Sequence, residues 1–181
     1  MRKLISYLFM SLDGVIEAPD RFLRPDLYGD LDPLDDTLAE QDTVLMGRKT
    51  YEEWAQFWPT SDLEPFASFI NNVPKHVVSG TLDELGWANS TLLDGDLVDG
   101  VRALKDQPSK AIGLHGSVSL VHALLAAGLI DELKLVLCPV VAGSGPHLLA
   151  RDGEPIHLDL DAANVTPGGL QYLVYRPRRE S

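Results

Sequence analysis

Short apolar runs that stop at a glycine or hydroxyl residue and pass straight into a helix-forming segment recur along this chain, and that alternation restricts the folds open to it. Residues 3–12, 43–46, 75–79, 90–93, 111–114 and 132–141 read as strands. Residues 34–41, 50–57, 64–72, 97–105 and 117–127 read as helices, the fourth carrying Leu97, Val101 and Leu104 on one face and the last closed by Gly128. Residues 156–166 and 170–176 form a terminal hairpin turned at Pro167-Gly168-Gly169. Strands that are apolar on both faces and alternate with helices predict a mostly parallel sheet covered on each side. The expected fold class is therefore α/β, a three-layer α/β/α sandwich with a C-terminal antiparallel hairpin. With 181 residues and no linker-like stretch, the chain is expected to be one domain, 1–181.

Charge narrows the partners. Fifteen basic against 27 acidic residues give a net charge of −12. Nucleic acid and anionic membrane surfaces are themselves negative and would be repelled. No apolar run approaches the length of a membrane span. Met1-Arg2-Lys3 before an apolar run only faintly resembles a signal peptide, since no small-residue cleavage pattern follows. Cys138 is the single cysteine, which excludes an intrachain disulfide and suits a reducing compartment. The expectation is a cytoplasmic protein with a small-molecule substrate, and neither nucleic acid nor membrane as partner.

In parallel sheets ligands lie beyond the carboxyl ends of the strands, so chemistry is sought in the strand-to-helix turns. The first is Gly47-Arg48-Lys49-Thr50. A glycine admits close approach, free helix-start N–H groups suit an anion, and Arg48 offers a planar fork. Thr50 is either an N-cap or a phosphate ligand. The second, Ser79-Gly80-Thr81, is either a plain strand end or an anion or ribose contact. The third is Leu114-His115-Gly116-Ser117-Val118, where the amides of Ser117, Val118 and Ser119 form a possible diphosphate cradle. His115 there is either a satisfied histidine or a catalytic one. The fourth turn, residues 139–146, is glycine-rich either for conformation or to close around a ligand. The five histidines show no metal-ligand spacing, and Cys138 in an apolar strand reads as an inert core thiol. Trp54, Phe57 and Trp58 read as helix packing, one of them a candidate pocket wall. Asp26–Asp36 lacks the calcium-loop pattern and reads as a solvated face.

Taken in order, Ser11-Leu12-Asp13-Gly14-Val15-Ile16, Gly47-Arg48-Lys49-Thr50-Tyr51-Glu52, Lys75-x-Val77-Val78-Ser79 and Gly116-Ser117 resemble the dihydrofolate reductase-like superfamily. Gly128-Leu129-Ile130-Asp131-Glu132-Leu133 and Pro139-Val140-Val141-Ala142-Gly143-Ser144-Gly145 are especially similar to the C-terminal reductase domain of riboflavin biosynthesis proteins, of which this chain resembles a stand-alone member. The resemblance implies an NADPH-dependent oxidoreductase that transfers a hydride to a C=O or C=N bond of a pterin-, pyrimidine- or ribosyl-type substrate, resembling 5-amino-6-(5-phosphoribosylamino)uracil reductase. It implies that Gly47, Arg48 and Thr50 meet the adenosine-side phosphates and that Ser79 meets the 2′-phosphate or adenine ribose. Gly116, Ser117 and Val118 would cradle the diphosphate, and Met10 and Ser11 would approach the nicotinamide. Asp13, His115 or a water would supply the proton. Where riboflavin reductases carry Glu-Gly-Gly this chain has Leu114-His115-Gly116, and the substrate-facing acid is absent. Dihydrofolate reductases place a carboxylate on the first helix, for which Asp26, Asp32, Asp35, Asp36 and Glu40 are the candidates. The alternative is a non-catalytic NADP(H)-binding sensor or interaction module. A homodimer is expected through the apolar terminal hairpin, which would protect its edge.

Overall fold

In the computed structural model the described residues are 1–16, 18–22, 24, 27, 34–148 and 153–178. They form β1 (Leu4–Ser11), α1 (Leu34–Ala39), β2 (Gln41–Gly47), α2 (Arg48–Phe57), α3 (Phe66–Asn72), β3 (Lys75–Val78), β4 (Ser90–Leu92), α4 (Leu97–Asp106), β5 (Ala111–Leu114), α5 (Val118–Ala126), β6 (Glu132–Cys138), β7 (Leu158–Val165) and β8 (Gln171–Pro177). One eight-stranded sheet runs in the order β4-β3-β2-β5-β1-β6-β8-β7. The first six strands in that order pair in parallel, and β8 and β7 continue the sheet antiparallel. This is the mostly parallel α/β sheet with a terminal hairpin that the alternation predicts.

Both faces are covered because the strands alternate apolar residues to each side. Leu4, Leu8 and Met10 of β1, Leu45 of β2 and Ile112 and Leu114 of β5 pack with Val101 and Leu104 of α4 and Leu120, Val121 and Leu124 of α5. On the other face Val44, Met46 and Val77 meet Tyr51, Ile70, Val73 and Trp87. Tyr7, Phe22, Val136, Cys138, Leu170 and Tyr172 form a third cluster. Burial raises the Cys138 thiol to about 11, so it stays protonated in the core. Among the described residues no helix is long and apolar enough to cross a membrane.

Several element ends differ from the periodicity. The first helix stops at Ala39, and Gln41 opens β2 instead, its register with β5 shifting between Gln41 and Thr43. Strand β6 ends at Cys138 because Pro139 has no N–H to continue the ladder. Helix α4 starts where expected, at an Asp96 cap whose carboxylate accepts from the amides of Val98 (2.7 Å) and Asp99 (3.0 Å).

Lys75, which opens the Lys75-x-Val77-Val78-Ser79 motif, is wholly buried. Its Nζ donates to the carbonyls of Ile70 and Val73, each at 2.9 Å, and lies 4.6 Å from the centre of the Trp87 ring. It caps the carboxyl end of α3, where backbone oxygens lack helix partners and the dipole favours a cation. Burial lowers its pKa to about 8 from 10.5. Between those values the unfolded chain binds the extra proton, so Lys75 makes stability rise with pH across that window. Urea unfolding at pH 7.5 and pH 10 should show wild type gaining stability relative to Lys75→Met as pH rises. An unchanging difference between the two proteins would refute the buried placement.

Candidate functional site

The site is defined by unequal strand lengths. Strand β5 ends at Leu114, which pairs with Leu45 of β2 and Ser6 of β1. Beyond that level β2 continues to Gly47 and β1 to Ser11. At roughly 3.3 Å per residue the β1 wall rises roughly 16 Å above the end of β5. His115, Gly116 and Ser117 form the floor of the resulting notch, the crevice position in which parallel sheets bind ligands.

Two turns meet across this floor. A Cβ on Gly47 would lie 2.7 Å from Ser117 Oγ, and one on Gly116 would lie 3.2 Å from Thr50 Cγ2. The first and third turns are therefore packed directly on each other, which only a missing side chain at Gly47 permits. Ser117 has φ +65°, rare for a non-glycine residue and a mark of local strain at the crossing. Neither α2 nor α5 receives a side-chain cap, and neither has an acid in its first turn. The contrast with Asp96 on α4 is plain. The unsatisfied N–H groups of two helix starts converge on one place. Val118 is the first residue of α5, so its amide belongs to that set.

The flanking groups are less committed. Arg48 is half exposed and its Nη1 donates to Glu52 Oε2 at 2.7 Å. That pair, on a surface, holds the fork only weakly. Lys49 is exposed, with Nζ 3.9 Å from Glu53 Oε1. Ser79 follows β3, whose Val78 pairs with Gly47. Its Oγ accepts from the amides of Thr81 (3.1 Å) and Leu82 (3.0 Å), leaving the O–H to donate. Met10 and Ser11 are both buried, Met10 within the core under α4 and α5.

Asp13 is built as a clasp. One oxygen accepts from Ser11 Oγ (2.6 Å) and the Ala142 amide (2.9 Å), the other from the Gly143 amide (2.8 Å). These bonds, led by that from Ser11, hold its carboxyl far below the usual range, so it is ionised at neutral pH. An ionised acceptor with its lone pairs engaged is poorly suited to give a proton. Around it the fourth turn is laced to the loop after β1. Leu12 N donates to Val140 O (2.8 Å), Leu148 N to Gly14 O (2.9 Å), and Val15 bridges His147. The glycines of that turn serve this lacing.

His115 is half-buried. Its Nε2 lies 2.7 Å from Gln41 Oε1, and Phe66, Phe69 and Tyr7 pack on the ring with centroids at 5.4, 6.1 and 6.2 Å. Burial lowers its pKa to about 4, so the ring is neutral at neutral pH. Trp58 and Phe57 extend the aromatic row outward, with Trp58 4.8 Å from Phe66 and Phe57 5.0 Å from Trp58. Gln41, Phe66 and Phe69 are the residues that sequence reasoning missed. The signal available was Gly113, a strand-interior glycine two residues before His115 and so on the same face. Of the acidic candidates, Asp35 and Asp36 are exposed on α1, and exposed Glu40 pairs with Lys134 at 3.0 Å. Asp26 and Asp32 lie outside the described residues.

The architecture is shared with solved proteins of the dihydrofolate reductase-like class. A putative riboflavin biosynthesis protein from Shewanella sp. PV-4 superposes with TM-score 0.78 at 21% identity, over 98% of this chain and 99% of that one. A pyrimidine reductase-like protein from Corynebacterium diphtheriae gives 0.67 at 14%, covering 99% and 93%. Dihydrofolate reductase from Enterococcus faecalis, complexed with NADP(H) and RAB-propyl, gives 0.66 at 14%, covering 98% and 97%. Residues 2–174 match the RibD C-terminal domain model, and the chain belongs to that family. Among curated relatives, the uncharacterized protein YyaP of Bacillus subtilis is 28% identical over 96% of this chain and 94% of its own length. The uncharacterized protein YwjB of the same organism is 28% identical over 80% of each.

The clasp has a direct consequence. In Asp13→Ala the amides of Ala142 and Gly143 should exchange with deuterium at least tenfold faster, while those of β2 and α4 keep their protection. Unchanged exchange at Ala142 and Gly143 would show that the carboxylate does not hold the turn.

Proposed function

We propose that this protein is an NADPH-dependent reductase acting on a C=O or C=N bond of a small substrate of pterin, pyrimidine or ribosyl type. The observation that carries the reading is the meeting of two uncapped helix starts at Gly47–Ser117 and Thr50–Gly116. Helix-start amides and their dipoles favour a phosphate without a basic surface. Membership of the RibD C-terminal domain family supports the reductase-like role. The dihydrofolate reductase neighbour binds NADP(H) on the same fold, which supports the choice of cofactor.

In this reading the amides of Ser117 and Val118, with Thr50 and the Gly47 turn, bind the diphosphate. Arg48 leaves its surface pair with Glu52 to meet the 2′-phosphate, and the Ser79 hydroxyl donates to that phosphate or to the ribose. The wall of β1 ending at Met10 and Ser11 borders the nicotinamide, and Asp13 fixes the loops around it. NADPH supplies the hydride, and the protein's share is orientation and exclusion of water. The ionised Asp13 and the neutral His115 are both poor donors at neutral pH, which leaves water as the proton source.

Calorimetry should detect NADPH binding, and Arg48→Ala with Ser79→Ala should weaken it at least tenfold, about 1.4 kcal/mol. NADH affinity should fall less, because the Arg48 contact addresses the 2′-phosphate that NADH lacks. Equal losses for both nucleotides would relocate that phosphate, and no NADPH binding at millimolar concentration would end the reading. Binding without turnover on carbonyl, imine and pterin panels would favour a sensor.

The reading extends to a homodimer. Strand β7 is an open sheet edge on which Leu160 and Val165 are 55% and 63% exposed. Pairing with a second copy would cover that edge. Light scattering at micromolar concentration should give twice the chain mass, and a monomer there removes this part.

A further inference from the structure

We propose that Gln41 is a positioning residue that holds the His115 imidazole in its Nε2–H tautomer, so that Nδ1 faces the substrate side of the notch as an uncharged hydrogen-bond acceptor. The substrate group it would recognise is an N–H or O–H donor on a planar ring. That role rests on the reductase reading above, while the tautomer itself does not.

The pair is assembled by two adjacent strands. Gln41 opens β2, His115 follows β5, and Gly113 lies between them on the same face. A Cβ on Gly113 would fall 1.9 Å from Gln41 Oε1 and 2.7 Å from His115 Nε2. The missing side chain is the space in which the two groups meet, and any larger residue at 113 would force them apart. The amide carbonyl accepts from Nε2–H at 2.7 Å, and this bond fixes which nitrogen carries the proton. Gln41 is only 5% exposed and its Nε2 has no hydrogen-bond partner among the described residues. A buried amide with an unpaired end costs more than an apolar side chain of the same shape would. Its presence here is accounted for by its bond to His115.

Among the described residues the groups packed on the ring are Gln41 from β2, Tyr7 from β1, and Phe66 and Phe69 from α3. Tyr7 is the one titratable group among these, and a phenol is uncharged near neutral pH. The rings of Phe66 and Phe69 and the depth of the site keep the imidazole neutral, in line with its lowered pKa of about 4. The turn where related riboflavin reductases are expected to carry an acid thus presents a fixed, uncharged acceptor.

The test is NMR of the full chain labelled with ¹⁵N and ¹³C histidine, with His115 assigned from the signal missing in His115→Asn. Wild type should show the Nε2–H tautomer and no titration between pH 5 and pH 8. Gln41→Leu should give a mixed tautomer. Gln41→Glu should raise the His115 midpoint by at least one pH unit, since a carboxylate opposite Nε2–H favours the imidazolium. If Gln41→Leu does not fold, the wild-type spectrum and Gln41→Glu still decide. An Nδ1–H or mixed tautomer in wild type, or an unmoved midpoint in Gln41→Glu, overturns the proposal. In turnover, Gln41→Leu should raise the KM of whichever panel carbonyl, imine or pterin compound is reduced at least fivefold while NADPH affinity holds, and a purely structural role would weaken substrate and NADPH binding alike. Failure of NADPH to bind wild type would strike the reductase reading and leave the tautomer result standing.

Discussion

The direct packing of the turn after β2 on the turn after β5 is the constraint from which the rest of the site follows. It exists because β5 inserts between β1 and β2, so two segments about seventy residues apart in the chain end side by side. Gly47 lets the backbones come together, and Ser117 accepts a left-handed φ to complete the crossing. With no side chain capping either helix, the N–H groups that a helix start leaves unpaired are gathered in one place. The early end of β5 then makes that place the floor of a notch, walled by the longer β1 and β2.

Under the proposed function this arrangement reconciles an acidic chain with an anionic ligand. A net charge of −12 leaves no basic surface to attract phosphates at range. Backbone dipoles act over a few ångströms, where the distant acidic shell is screened by solvent. Of the two cations close to the crossing in sequence, Lys49 is exposed, and Arg48 sits in a weak surface pair with Glu52 that a phosphate can outcompete. Lys75 belongs to the core instead, because the carboxyl end of α3 needs donors and the Trp87 ring accommodates a cation.

The walls differ in character. On the β1 side a carboxylate, Asp13, ties two loops together and is consumed by that work. On the β2 side an aromatic row runs from exposed Phe57 to half-buried His115. A flat ring would meet aromatic surface and neutral polar groups there, with Asp13 turned to its own loops. Under the proposed function the notch would orient a neutral substrate against a nucleotide, with little acid–base machinery of its own.

Much of the architecture was legible in the sequence. Apolar runs broken by glycine marked five of the six parallel strands closely, and the weak run at Ser90–Leu92 marked the sixth. The helix starts at Gly47-Arg48 and Gly116-Ser117 stood out because glycine before a helix is a local signal. What the sequence determined alone was thus the alternation, the fold class and the turns where a phosphate could bind, since these depend on neighbours within a few residues. The tertiary structure alone decided that the first and third turns touch, that Lys75 is buried, that Asp13 is a clasp and that Gln41 meets His115. Each of these depends on which strands lie adjacent and in what register. That choice is made by packing among residues far apart in the chain, which no local pattern records.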